Sequence, residues 1–185
     1  MDTWVWLVLI AAAFVVGALA AWALLQRRRT AALRGRFGPE YERTVQRVGD
    51  QRGAEAELEA RAARVERLHI QPLPADRRLS FANSWKIVQT RFVEDPNIAV
   101  RDADRLVAEA MEARGYPVGD FDQRAADVSV DHPEVVEHYR AAHALALRQE
   151  RGAASTEDLR QAMVHYRALF EDLLGSADSR GSRAA

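Results

Sequence analysis

The chain has 185 residues, no cysteine, 26 basic and 27 acidic side chains, and a net charge of −1. The absence of cysteine excludes a disulfide framework, a cysteine nucleophile and a thiolate metal site. A net charge near zero argues against nucleic acid as a partner, because nucleic-acid binding needs a concentrated basic surface.

The first predicted element is a transmembrane helix over residues 4–25, a run without a charged side chain. A helix of this length measures about 33 Å, enough to cross a hydrocarbon layer of about 30 Å. One acidic residue precedes the run, and the membrane-flanking arginines Arg27, Arg28, Arg29, Arg34 and Arg36 follow it. By the positive-inside rule we expect a single-pass protein with its N-terminus outside and its C-terminal domain in the cytoplasm.

A cleaved signal peptide is the alternative interpretation of this run, since residues 18–20 and 21–23 fit small-residue cleavage sites. The anchor is favoured because no basic residue precedes the run and because the run exceeds the usual ~7–15 apolar residues. Ala13, Gly17 and Ala21 are spaced by four, which indicates a candidate homodimer face. In an alanine-rich run the same spacing also arises by chance.

Past the anchor, helix signals predict an all-α chain: a charged stalk helix, then an antiparallel bundle of about four helices. Gln71 to Pro74, with two prolines, is interpreted as a hinge between stalk and bundle. Phe81, Trp85, Val88 and Phe92 follow 4-3-4 spacing and predict one buried helical face. The predicted divisions are an anchor with its basic flank (1–29), a juxtamembrane stalk (30–74), the bundle domain (75–175) and a disordered tail (176–185).

The motifs of phosphate loops, nucleophile elbows and zinc proteases are all absent from the sequence. We therefore expect no catalytic residue, no cofactor and no metal ligand, and an enzyme is the less favoured class. One metal-binding or enzymatic alternative uses His132, Glu134 and His138, because Glu134 and His138 lie one helical turn apart.

His143 falls by helical phase on the apolar stripe that contains Val136, Tyr139 and Ala146. The favoured interpretation is a packed, neutral core histidine. The alternative is a switch, through which the domain senses pH or envelope stress.

Two C-terminal blocks, GYPVGDFDQRAADVSVDHPEVVEHYRAAHALALR (115–148) and STEDLRQAMVHYRALFEDLL (155–174), form a recognisable pattern together with residues 37–45 and 85–95. This pattern resembles an uncharacterised family of bacterial proteins with one N-terminal transmembrane helix and a helical C-terminal domain. The resemblance implies an anchor in the bacterial inner membrane and transfers no activity. Members are labelled membrane or secreted proteins, which leaves the opposite topology open.

The leading functional hypothesis is a membrane-tethered helical interaction module that binds a protein partner. We expect its binding surface at residues 116–131, the one loop-rich segment in a regular chain.

Overall fold

A computed structural model describes the backbone of residues 3–175 and the side chains within that range, except those of residue 3 and residues 5–11. All regular structure in this range is helical, which confirms the predicted all-α class. The described helices are α1 (Thr3–Phe37), α2 (Pro39–Val48), α3 (Gln51–Val65), α4 (Ala75–Glu94), α5 (Pro96–Ala113), α6 (Phe121–Asp131), α7 (Val136–Glu150) and α8 (Thr156–Gly175). The tail predicted over residues 176–185 lies outside the described residues.

Helix α1 contains the run that was predicted to cross the membrane. Among the residues that the structure describes, no helix combines the length and the apolar character that a membrane span requires. The side chains of residues 5–11, part of the predicted span, lie outside the described set. The anchor over residues 4–25 therefore stays a prediction.

The segment predicted as a stalk, residues 30–74, contains short helices that fold back instead of one extended helix. The Thr30 hydroxyl donates a hydrogen bond to Glu55 Oε1 at 2.7 Å, and the Tyr41 hydroxyl donates to the same oxygen at 2.9 Å. In one continuous helix Thr30 and Glu55 would lie about 37 Å apart. The reversal follows α2, which ends at Gly49 in the left-handed conformation with φ of 88°.

The described residues divide into two compact units, with the boundary between Leu58 and Glu59. The second unit begins within α3, earlier than the predicted boundary before α4. The proline-containing linker belongs to this unit, because Leu73 is buried in its core and the Gln71 N–H donates to the Arg114 carbonyl at 2.9 Å. The two prolines interrupt the helix, but the segment stays packed in the second unit.

The core of the second unit contains the aromatic stripe of α4. Phe81, Trp85 and Val88 are buried, as their spacing predicted, and Phe92 is partly buried against them. The Trp85 ring stacks on Phe170 of α8, with ring centroids 4.8 Å apart and planes at 22°. Phe81 meets the same phenyl ring edge-on at 6.4 Å. One α8 side chain therefore anchors the buried face of α4.

Helices α7 and α8 run in opposite directions. The end of α7 meets the start of α8, where Arg148 pairs with Asp158 at 3.3 Å. Nearer the start of α7, His138 meets His165 of α8. This pairing agrees with the predicted antiparallel arrangement of neighbouring helices.

Helices α5 and α8, in contrast, run in the same direction. The Asp104 charge acts on Tyr166, and ten residues further along α5 the Arg114 guanidinium donates to the Leu173 carbonyl at 2.9 Å. Residue numbers therefore increase in the same direction along both helices. In an up-down-up-down bundle of α4, α5, α7 and α8 the second and fourth helices run in the same direction, so this pair is compatible with the predicted antiparallel bundle.

Replacing Trp85 with alanine should remove about 3–5 kcal/mol from the free energy of unfolding, because a large aromatic leaves a cavity beside Phe170. Trp85→Phe should cost less, since the buried indole N–H has no hydrogen-bond partner among the described residues. Chemical denaturation of the full chain measures both losses.

Ile87→Ala is the matched control, because Ile87 lies half a turn from Trp85 on the same helix and is 62% exposed. Its cost should stay within about 0.5 kcal/mol. Equal losses for Trp85→Ala and Ile87→Ala would contradict the assigned core face.

Candidate functional site

The proposed switch residue, His143, lies half-buried on α7 rather than deep in the core. Its ring stacks on Phe121 of α6, with centroids 3.6 Å apart and planes at 8°. Burial lowers the pKa of His143 below its usual 6.5; the negative charge of Asp104 opposes this shift and the positive charge of Arg124 reinforces it. The ring therefore favours its neutral form in the folded protein.

Beside His143 lies a cluster of polar side chains that the apolar helical spacing in the sequence did not predict. Arg124 of α6 donates from Nε to the Tyr139 hydroxyl at 3.0 Å and from Nη1 to the Gly119 carbonyl at 2.7 Å. The Tyr166 hydroxyl and Asp104 Oδ1 are both buried, and Asp104 interacts with Tyr166.

Burial raises the pKa of both Tyr139 and Tyr166. A phenol that keeps its proton at neutral pH donates hydrogen bonds but does not act as a general base. The chemistry of this cluster is therefore that of a packed polar network, not that of an activated nucleophile.

His132 is buried at the junction of α6 and α7, with 4% of its surface exposed. Its Nδ1 pairs with the Asp172 carboxylate, and its Nε2 lies 3.3 Å from Arg114 Nη1. These contacts fit the tautomer with the proton on Nδ1, because Nε2 then accepts from the guanidinium. His132 thus joins the start of α7 to the end of α8.

The predicted trio of His132, Glu134 and His138 is not brought together. His132 faces Asp172, whereas His138 Nδ1 lies 2.9 Å from Nδ1 of His165. Among the described residues, no three histidine, aspartate or glutamate side chains are placed to hold a metal ion.

The pairing of His138 with His165 was missed in the sequence, although a signal existed. His138 lies 14 residues before Gly152 and His165 lies 13 residues after it. In an antiparallel helical hairpin, residues equidistant from the turn meet. Counting from the turn would have found the pair.

The surface predicted over residues 116–131 is largely packed against the bundle. Tyr116 is buried and its hydroxyl donates to Asp131 at 2.8 Å. Asp127 of α6 is buried and accepts from Arg64 Nε at 2.8 Å. Of the large apolar side chains in this segment, Val118 is exposed by 50%.

The outward face of α4 carries exposed apolar side chains instead. Leu79, Ile87 and Val93 are 68%, 62% and 86% exposed. Two adjoining grooves between α4 and α5, of 390 Å³ and 230 Å³, share Ser84, Leu106 and Glu109 in their walls. These side chains alternate with the exposed polar residues Asn83, Lys86 and Thr90, and of the three aliphatic residues Ile87 lines one of these grooves.

In the first unit, Arg27, Arg28 and Arg29 are exposed along α1, as topology determinants would be. Arg34 lies 3.5 Å from Glu42 and stacks over the Tyr41 ring at 5.0 Å. Its side chain therefore contributes to packing as well as to charge.

The small-residue face of α1 is also exposed: Ala13, Gly17 and Ala21 have accessible side chains or backbone, and a β-carbon on Gly17 would meet no atom within 4 Å. A second helix can therefore approach this face.

Comparison with protein families, with curated proteins and with solved structures found no match to this chain.

The pH dependence of stability tests the role of His143. The pKa of His143 is lower in the folded chain than in the unfolded chain. The neutral ring therefore makes its full contribution to the free energy of unfolding above about pH 6.5, and protonation removes that contribution as the pH falls. We expect the loss of unfolding free energy between pH 8 and pH 5 to be smaller in His143→Gln than in the native chain. Chemical denaturation at both values measures it.

Groups facing His143 from α5, α6 and α7, namely Asp104, Asp122, Arg124 and Glu150, are unchanged in the variant, so their contributions cancel in the difference. Identical pH profiles for the two proteins would exclude a switch at His143.

Proposed function

We propose that this chain is a membrane-tethered helical interaction module that offers the α4–α5 surface to a protein partner. The observation that carries the proposal is the α4–α5 groove, whose wall includes the 62% exposed Ile87 of α4.

The anchor in this proposal is the uncharged run of residues 4–25. Its support is the length of the run, tryptophans at both ends and the arginines that follow it. That α1 is one continuous helix from Thr3 to Phe37 fits such a segment. We place the C-terminal domain in the cytoplasm. Membership of the bacterial family with one N-terminal transmembrane helix likewise stays a prediction.

The shape of the α4–α5 surface favours a helical partner. The shared groove extends from Arg77 to Arg91 along α4, about 21 Å or four helical turns. Its walls include Phe81, Val88 and Leu106, with arginines and glutamates at the rim. An amphipathic helix that lays its apolar stripe into a groove of this kind is a recurrent mode of recognition.

Photo-crosslinking tests this surface position by position. With p-benzoylphenylalanine at position 87 of the full chain in cells, we expect an adduct with another protein. The same residue at position 137, on the exposed side of α7, should give none. Replacing Leu79 and Val93 together with serine should leave the position-87 adduct unchanged, because neither residue lines the groove.

The arms of this experiment separate three outcomes. An adduct from position 118 and none from 87 would favour the surface first predicted over residues 116–131. An adduct of twice the chain mass would mean a second copy instead of a partner. Equal adducts at 87 and 137 would contradict a specific surface.

Topology is tested by fusing a reporter that is active only outside the cytoplasm to the C-terminus. We expect an inactive fusion, because the arginines after residue 25 should be retained on the cytoplasmic side. Strong reporter activity, or a mature chain that starts near residue 21 or 24, would contradict the anchor and its orientation.

A pH sensor is the second candidate function. The half-buried ring of His143 on Phe121, with its lowered pKa, favours it. Protonation would place a positive charge in an apolar stack between α6 and α7, and the separation of the two helices would be the response. Identical pH profiles of His143→Gln and the native chain would exclude this function.

A further inference from the structure

The two walls of the α4–α5 groove come from helices that run in opposite directions. Arg91, near the end of α4, pairs with Asp102, near the start of α5. Arg77, near the start of α4, and Glu112, near the end of α5, line the groove together at its other end. The charged side chains of the two walls therefore form two separate groups, one at each end of the groove.

One end of the groove carries an excess of positive charge. Arg91 Nη1 donates to Asp102 Oδ2, and Arg105 Nη2 donates to Asp102 Oδ1 at 2.5 Å. One carboxylate neutralises only one of the two guanidinium groups. Arg105 Nε lies 3.8 Å from the Glu109 carboxylate, too far for a hydrogen bond. Because the Arg105 side chain is 67% exposed, it presents this positive charge to a partner.

The opposite end carries an excess of negative charge. Glu109 and Glu112 are exposed on α5 and line this end together with one basic side chain of α4, Arg77. The Arg77 guanidinium lies over the Phe81 ring, 5.5 Å from its centroid, and the ring face attracts it there. Two carboxylates against one guanidinium leave this end negative.

The stretch between the two ends is small and partly apolar. Ser84 and Leu106 belong to both halves of the groove, and Ser80 lines the half with the two glutamates. Ile87 lines the half with the two arginines. The serine side chains leave room for the side chains of a partner, and Leu106 and Ile87 offer them apolar contact.

We propose that the partner in the α4–α5 groove is an amphipathic helix with acidic residues in its first turns and basic residues in its last turns. This inference rests on the proposed function, because it gives the chemistry of the partner at the same surface. The acidic side chains lie over Arg91 and Arg105, and the basic side chains lie over Glu109 and Glu112. Opposite charges at the two ends fix the register and disfavour a helix laid in the other direction.

The direction of the partner helix follows from the electrostatics of helix ends. Negative side chains stabilise the first turn of a helix and positive side chains stabilise the last turn, because the helix dipole is positive at its N-terminus. The partner helix therefore begins over Arg91 and Arg105, and it runs antiparallel to α4 and parallel to α5. The groove extends about 21 Å from Arg77 to Arg91, so the partner helix needs about 14 residues to fill it.

Crosslinks from two positions measure this direction. With p-benzoylphenylalanine at position 80 or position 87 of the full chain in cells, mass spectrometry of each adduct identifies the captured partner residue. We expect both adducts to map to one helix. The residue captured from position 80 should follow the residue captured from position 87 by about 5–9 positions, because the two probes lie about 10.5 Å apart along α4.

Variants that remove one charge test the two ends of the groove. Arg105→Gln and Glu112→Gln should each reduce the position-87 adduct by about two- to fivefold, the effect of losing one exposed ion pair. Arg101→Gln and Glu134→Gln are matched controls that should leave the adduct unchanged, because both residues are exposed and lie outside the groove walls. Circular dichroism checks that every variant is folded.

A residue captured from position 80 that precedes the residue captured from position 87 would overturn the direction, and the proposal with it. Native adduct levels in both Arg105→Gln and Glu112→Gln, a captured segment without the two charged ends, or capture of a second copy of the chain would also overturn it. These results concern the partner's chemistry, whereas loss of the position-87 adduct from the otherwise native chain would contradict the proposed function and this inference together.

Discussion

The buried guanidinium of Arg114 is the interaction on which the second unit depends. With 1% of its surface exposed, Arg114 donates to the Leu173 carbonyl and faces His132. A buried charge is tolerated only with partners, and removing one partner typically costs 3–5 kcal/mol. The next residue, Gly115, has φ of 98°, and a β-carbon there would lie 2.5 Å from the His69 carbonyl oxygen. Two adjacent residues, Arg114 and Gly115, therefore contact the linker, the α6–α7 junction and the end of α8.

The helices and the core face of α4 could be predicted because their causes are local. Phe81, Trp85 and Val88 repeat at helical spacing, and burial of such a stripe needs no knowledge of its partner. The return of residues 30–58 on themselves could not be predicted in this way. It rests on contacts such as that between Thr30 and Glu55, 25 positions apart, which no periodicity encodes.

The candidate sites show the same difference between what local sequence patterns predict and what contacts between helices decide. His138 was recognised as a ligand type, but its partner was sought one helical turn away instead of across the hairpin. Residues 116–131 were predicted as a loop-rich binding surface, yet five of the eleven residues of α6 are buried. In both cases the missing information was the register between helices, which depends on how neighbouring faces pack and not on the composition of either segment.

The stacking of Trp85 on Phe170 has a consequence for synthesis of the chain. The two rings are 85 positions apart along the chain. At translation rates of about 5–20 residues per second, about 4–17 seconds pass between the appearance of one ring and the other. During that interval the aromatic face of α4 has no α8 to cover it. The nascent domain therefore completes its fold only after α8 has been synthesised, and until then it offers chaperones an exposed aromatic helix.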